Sequence, residues 1–146
     1  MAGKNFKKEH AEGAFQIWPV LVWAAQNRQT LSYDDLSGPT RIYRRSLRTH
    51  LAVIKHYCED KKSLKDYPLT VLVVNQKTGK PGEGLDTVPD GDFDKARERV
   101  FAKARLKKKG DWEKALSNPG LKTFYKFIEK LNKKNAKKKV RSKLSS

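Results

Sequence analysis

The segment from Thr40 to Asp60 constrains the fold more than any other part of the chain. Leu47, Leu51, Ile54 and Cys58 recur at offsets of four, three and four, the spacing of one helical face that must be buried. Arg41, Arg44, Arg45 and Arg48 recur at i, i+3, i+4 and i+7 with no acid between them. On a helix they fall within a sector of roughly 100°, centred about a quarter-turn from the apolar stripe. A helix of about residues 41–60, capped by Thr40, is therefore expected to pack by one side and offer four guanidiniums on the next. Charged helix faces usually mix signs at i,i+4. Four like charges on one stripe repel each other unless an anion is met. The planar guanidinium grips a phosphate or a guanine edge with two bonds. These arginines are the candidate nucleic-acid contacts, with Tyr33 and Tyr43 as the nearby aromatic residues, each also suited to packing.

Composition agrees with an anionic partner. The chain has 146 residues and a formal charge of +17, from 33 Lys+Arg against 16 Asp+Glu. Each phosphate contacted by such a surface releases condensed counterions, which favours polyanions and disfavours an acidic substrate. An apolar content of 37% is too high for a wholly disordered basic protein, so one folded domain is expected. A single cysteine, Cys58, excludes an intramolecular disulfide and a multi-cysteine zinc site, and a lone thiol fits a reducing compartment. No apolar run approaches a membrane span and the first residues have no apolar signal core. A cytoplasmic protein is expected, nucleoid-associated in a bacterial cell, without a membrane partner.

Along the chain, residues 1–13 read as a flexible basic arm, 14–132 as the folded domain and 133–146 as a disordered basic tail. Phe15, Trp18, Leu21, Val22 and Ala25 predict a first helix over about 14–27. Ser32, with Asp35 three residues on, predicts a capped short helix stopped by Gly38-Pro39. Tyr67 to Val74 is the strongest strand signal, β-branched and nearly continuous, and its run suggests cover on both faces. A glycine-rich loop, Gln76 to Gly84, follows, and Leu85 to Val88 offers a returning strand. Later helices are expected over about 93–108, at Trp112 to Leu116, and from Leu121 to Leu131. The three tryptophans sit at core-like spacings.

That order is a winged helix-turn-helix plan, with an arginine-rich recognition helix and a wing carrying Lys77 and Lys80. The stretch Ile17 to Val88 resembles the winged-helix domain of the O6-alkylguanine DNA alkyltransferases and their alkyltransferase-like relatives, through "TLSYDDLS", "RRSLRTHLAVI" and "PLTVLVVNQKTGKPGEG". The resemblance covers about half the chain and implies a DNA-binding face. It puts Thr70 where the family's nucleophilic cysteine would stand and Val71 where its histidine would, so it does not imply alkyl transfer.

The fold class expected is α+β: a winged helix-turn-helix core with two further C-terminal helices and a basic tail. The function expected is non-enzymatic binding of duplex DNA through Arg41, Tyr43, Arg44, Arg45, Arg48 and Tyr33, the wing residues Lys77 and Lys80, and the tail residues Lys137, Lys138, Lys139 and Arg141. No cofactor is expected. Two alternatives stand beside it. One is a metal-dependent nuclease or DNA-processing subunit, using acids such as Glu83, Asp86, Asp90, Asp92 and Asp94, or Glu59-Asp60-Lys61. The other is an RNA-binding or ribonucleoprotein subunit, since charge alone does not separate RNA from DNA.

Overall fold

A computed structural model describes residues 5–79, 92–104 and 116–144, with side chains up to Lys137. Among them are five α-helices: α1 (Lys8–Gln26), α2 (Tyr33–Thr40), α3 (Arg44–Asp60), α4 (Phe93–Ala104) and α5 (Leu121–Leu144). A 3-10 turn, Leu69–Leu72, lies between α3 and α4. The core sits where α1, α3 and α5 meet. Trp18, Tyr57, Phe124 and Phe127 pack there ring against ring, with centroids 5.3–6.1 Å apart. The Trp18 indole N–H is not lost by burial, because it donates to the Leu116 carbonyl at 2.9 Å.

The α+β winged-helix expectation is overturned, because the described residues contain no β-strand. The run read as a strand is buried, with Leu69, Val71, Leu72 and Val73 each 0% exposed, but Leu69–Leu72 coils into a 3-10 turn and only its flanks are extended. A continuous apolar run has no period that separates a buried strand from another buried segment. A strand also needs a neighbour for its backbone, and among the described residues only Leu31 comes alongside. The Leu31 N–H donates to the Leu72 carbonyl and the Val74 N–H to the Leu31 carbonyl, both at 2.8 Å, an isolated parallel bridge. The remaining backbone closes on itself: Val71 N–H donates to Pro68 and Val73 N–H to Thr70. After it, Asn75 to Gly79 forms a turn in which Gly79 takes φ +68° and its N–H reaches the Asn75 carbonyl. The expected wing beyond Gly79, with Lys80 and the returning strand, lies outside the described residues, as do Trp112 and most of its helix.

Both ends of the helical body differ from expectation. The first helix starts at Lys8, so residues 8–13 are not a loose arm. Ala11 is 0% exposed, and Phe6 is pinned by a reciprocal pair: its N–H donates to Asn132 Oδ1 at 2.8 Å and Asn132 Nδ2 donates to its carbonyl at 2.9 Å. The buried side of α1 is Ile17, Trp18, Leu21, Ala24 and Ala25, while Phe15 and Trp23 are exposed, against the core role expected for them. At the other end, residues 133–144 continue α5 rather than forming a disordered tail. Lys, Ala, Arg and Leu are good helix formers, and no Gly or Pro interrupts 121–144.

Candidate nucleic-acid interface

The ends of α2 and α3 build the first cationic surface. Ser32 caps α2 as expected: its hydroxyl accepts from the Asp35 N–H at 3.1 Å, and the Asp35 carboxylate accepts from the Ser32 N–H at 2.8 Å. Gly38-Pro39 does not stop the helix, which runs on to Thr40. The Thr40 hydroxyl donates back to the Leu36 carbonyl, so it closes α2 instead of capping α3. Arg41 then turns left-handed at φ +57°, and Ile42 and Tyr43 complete a three-residue turn before Arg44 opens α3. Ile42 is held by its carbonyl, which accepts from the Ser37 hydroxyl at 2.7 Å.

Arg41 therefore does not lie on the α3 stripe. It stands in the turn, two residues before Tyr43 and three before Arg44. Arg44, Arg45 and Arg48 are exposed on the first two turns of α3. Tyr43, the residue preceding the helix, is 81% exposed. Arg44 lies 3.7 Å from Asp34 of α2, and α3 has no acid in its own first turn. The buried stripe of α3 is as the spacing demanded, with Leu47, Leu51, Ile54 and Cys58 each 0% exposed, so the helix is fixed while its arginines face out. Tyr33, the first residue of α2, is partly buried and packs against the core.

A second cationic surface lies on α5. Lys122, Lys126, Lys130, Lys133, Lys134 and Lys137 are all exposed. At 100° per residue they fall within a sector of about 120°, bordered by the exposed Glu129 and centred about 130° from the face that buries Phe124, Phe127 and Ile128. The positions of Lys138, Lys139 and Arg141 continue within the same helix. Sequence reasoning found the charges at 133–143 but missed Lys122, Lys126 and Lys130. The available signal was the i, i+4, i+8 spacing of those three along an unbroken helix-forming stretch. Lys77 is exposed in the turn after the 3-10 segment, and its N–H donates to Asn75 Oδ1 at 2.8 Å.

The residues of the alternative chemistries have structural partners. The Asp92 carboxylate accepts from the Lys95 N–H at the start of α4, and Asp94 pairs with Arg97 at 2.8 Å. Glu59 sits 3.8 Å from Lys55 and 3.6 Å from His56, which hold its carboxyl below the usual range, and Asp60 pairs with Lys130 at 3.5 Å. Glu83, Asp86 and Asp90 lie outside the described residues. Among the described residues no group of three His, Cys, Asp or Glu side chains is arranged to hold a metal ion. Cys58 is fully buried on α3, and burial pushes its thiol up to about 12, so it stays protonated. The Thr70 hydroxyl is buried within the 3-10 turn. Among the described residues no helix is long and apolar enough to cross a membrane.

No protein-family model matches the chain, and no curated protein or solved structure is found to be similar to it.

Proposed function

We propose that this protein binds duplex DNA through the start of α3, without catalysing a reaction on it. The carrying observation is the placement of Arg44, Arg45 and Arg48 on the first two turns of a helix with no acid in its first turn. The backbone N–H groups there already make that end positive. A cation near a helix N-terminus is unfavourable by roughly 0.3–1 kcal/mol. Arg44 is partly offset by Asp34 of α2, 3.7 Å away, and the exposed cationic surface that remains is suited to an anion.

The form of the surface supports duplex DNA over other polyanions. A short helix, a three-residue turn and a second helix is the element order of a helix-turn-helix, in which the second helix enters the major groove. B-DNA admits a helix there, whereas the major groove of A-form RNA is too deep and narrow for side chains to read. In this reading Tyr43 and Arg44 meet the groove first, and Arg41, Arg45 and Arg48 reach phosphates or base edges around them. The test is competition between duplex DNA, single-stranded DNA and a structured RNA for the full-length protein, followed by a salt titration. Duplex DNA should compete best. With about six phosphates contacted, a fourfold rise in salt should weaken binding roughly a thousandfold. Preference for the RNA, or an affinity indifferent to salt, would overturn the proposal.

A further inference from the structure

The two cationic surfaces lie on different helices, the arginines at the start of α3 and the lysines along α5. Lys130 of the α5 stripe pairs with Asp60, the last residue of α3, while the arginines occupy that helix's first two turns. At 1.5 Å per residue, Arg44 and Asp60 stand about 24 Å apart along α3. The ground between carries both signs, with Lys8 over the Tyr125 ring and Lys55 beside Glu59. Glu9 and Glu12 of α1 line a groove with Arg41, Tyr43 and Ser46. On its other side Glu12 accepts a hydrogen bond from the Tyr125 hydroxyl of α5 at 2.9 Å. Glu59 stands beside Asp60 at the far end of α3. A phosphate backbone crossing from the arginines to the lysines would pass Glu9 and Glu12, whereas Glu59 and Asp60 are already paired with Lys55 and Lys130.

The α5 stripe is also large enough to be a site by itself. From Lys122 to Lys137 it spans about 22 Å, some six base-pair steps at 3.4 Å per step along one strand. Its lysines are strongly hydrated point charges on flexible stems, which suit sequence-independent phosphate contact, whereas the arginines suit bidentate recognition.

We infer that the protein carries two separate duplex-binding surfaces and bridges two DNA segments, one held at the start of α3 and the other along the lysine stripe of α5. The inference rests on the DNA-binding reading of α3 and adds a second duplex to it. Bridging then belongs to a single protein molecule and needs both surfaces.

The experiment immobilises one duplex on beads and measures capture of a second, labelled duplex by the full-length protein, with binding to a single free duplex measured in parallel. Three proteins are compared: wild type, a stripe variant (Lys122→Gln, Lys126→Gln, Lys133→Gln, Lys137→Gln) and an α3 variant (Arg44→Ala, Arg45→Ala, Arg48→Ala). A Lys→Arg version of the stripe variant keeps the charge and controls for folding. Wild type and the Lys→Arg version should capture the labelled duplex. The two charge-removing variants should lose at least tenfold in capture while each still binds a free duplex. A charge-removed variant that binds a duplex and still bridges would show that bridging comes from protein self-association, and would overturn the inference. Wild type that binds one duplex without capturing a second would also overturn it, with the DNA-binding reading intact. Wild type that binds no duplex would overturn both.

Discussion

Thr70 is the residue whose environment suits it least. It is 1% exposed, and among the described residues its hydroxyl is one of the few buried side-chain polar atoms without a hydrogen-bond partner. A buried hydroxyl without a partner costs about 1–3 kcal/mol. Thr70→Val keeps the shape and removes the oxygen, so the urea midpoint should rise by the equivalent of about 1 kcal/mol or more, with an unchanged slope. A lower midpoint would show that the hydroxyl is satisfied. Position 70 also shows what the sequence conveyed. Its burial follows from the apolar run around it, while its orphaned hydroxyl depends on a local conformation that the run does not encode.

His50 is a second residue held against its preference. It is 5% exposed, and it packs so closely on Gly13 that a Cβ there would stand 2.3 Å from its Nδ1. Its ring lies 5.2 Å from that of His10, with the His10 carbonyl and Glu9 as the neighbouring groups that favour its charge. Burial outweighs them and lowers its pKa below the ordinary 6.5. The unfolded chain then binds the proton more readily than the folded one. This contribution to stability is complete above pH 6.5 and is lost as pH falls through the folded value. Urea unfolding at pH 7.5 and pH 5.5 should show a loss of stability in acid that is smaller in His50→Gln. An equal loss in both proteins would remove His50 from the account.

At the scale of elements, α1 contains its own repair. Pro19 lies mid-helix and has no N–H to give the Phe15 carbonyl, four residues back. Asn118 supplies the missing donor, its Nδ2 reaching that carbonyl at 3.0 Å. Asn118→Ala should therefore cost about 0.5–1.5 kcal/mol in wild type and less in Pro19→Ala, where the helix restores its own bond. A double-mutant cycle by urea denaturation measures the difference. Equal costs in the two backgrounds would mean that the asparagine does not substitute for the proline.

Elements whose determinants are local were legible in the sequence: the Ser32–Asp35 cap of α2 and the apolar stripe of α3. Those settled by distant partners were not. Phe6 and the first turn of α1 are ordered by Asn132, 126 residues away. The strand expected near Val71 has, among the described residues, only Leu31 as a neighbour, and Leu69–Leu72 coil into a 3-10 turn. Arg41 was placed on the α3 face because spacing alone cannot show a left-handed residue at the end of the preceding helix. The far half of α5 lacks apolar periodicity, and only its helix propensity marked it.

For the whole molecule, part of the +17 formal charge is gathered, among the described residues, on two helical surfaces. An apolar centre of α1, α3 and α5 fixes arginines at one end of α3 and a lysine side on α5. The arginines are preorganised on a helix anchored by four fully buried side chains, so their loss should be felt more than that of flexible surface lysines. The direct test is titration of one duplex at one salt concentration with wild type, Arg44→Ala/Arg48→Ala and Lys133→Ala/Lys134→Ala, with thermal melts as the folding control. The arginine pair is predicted to lose at least tenfold in affinity, as expected when each contact contributes about 1–3 kcal/mol, and to melt near wild type. The lysine pair should lose clearly less. Equal losses would mean that binding is diffuse charge attraction, and would contradict the assignment of the DNA-contacting surface to the start of α3.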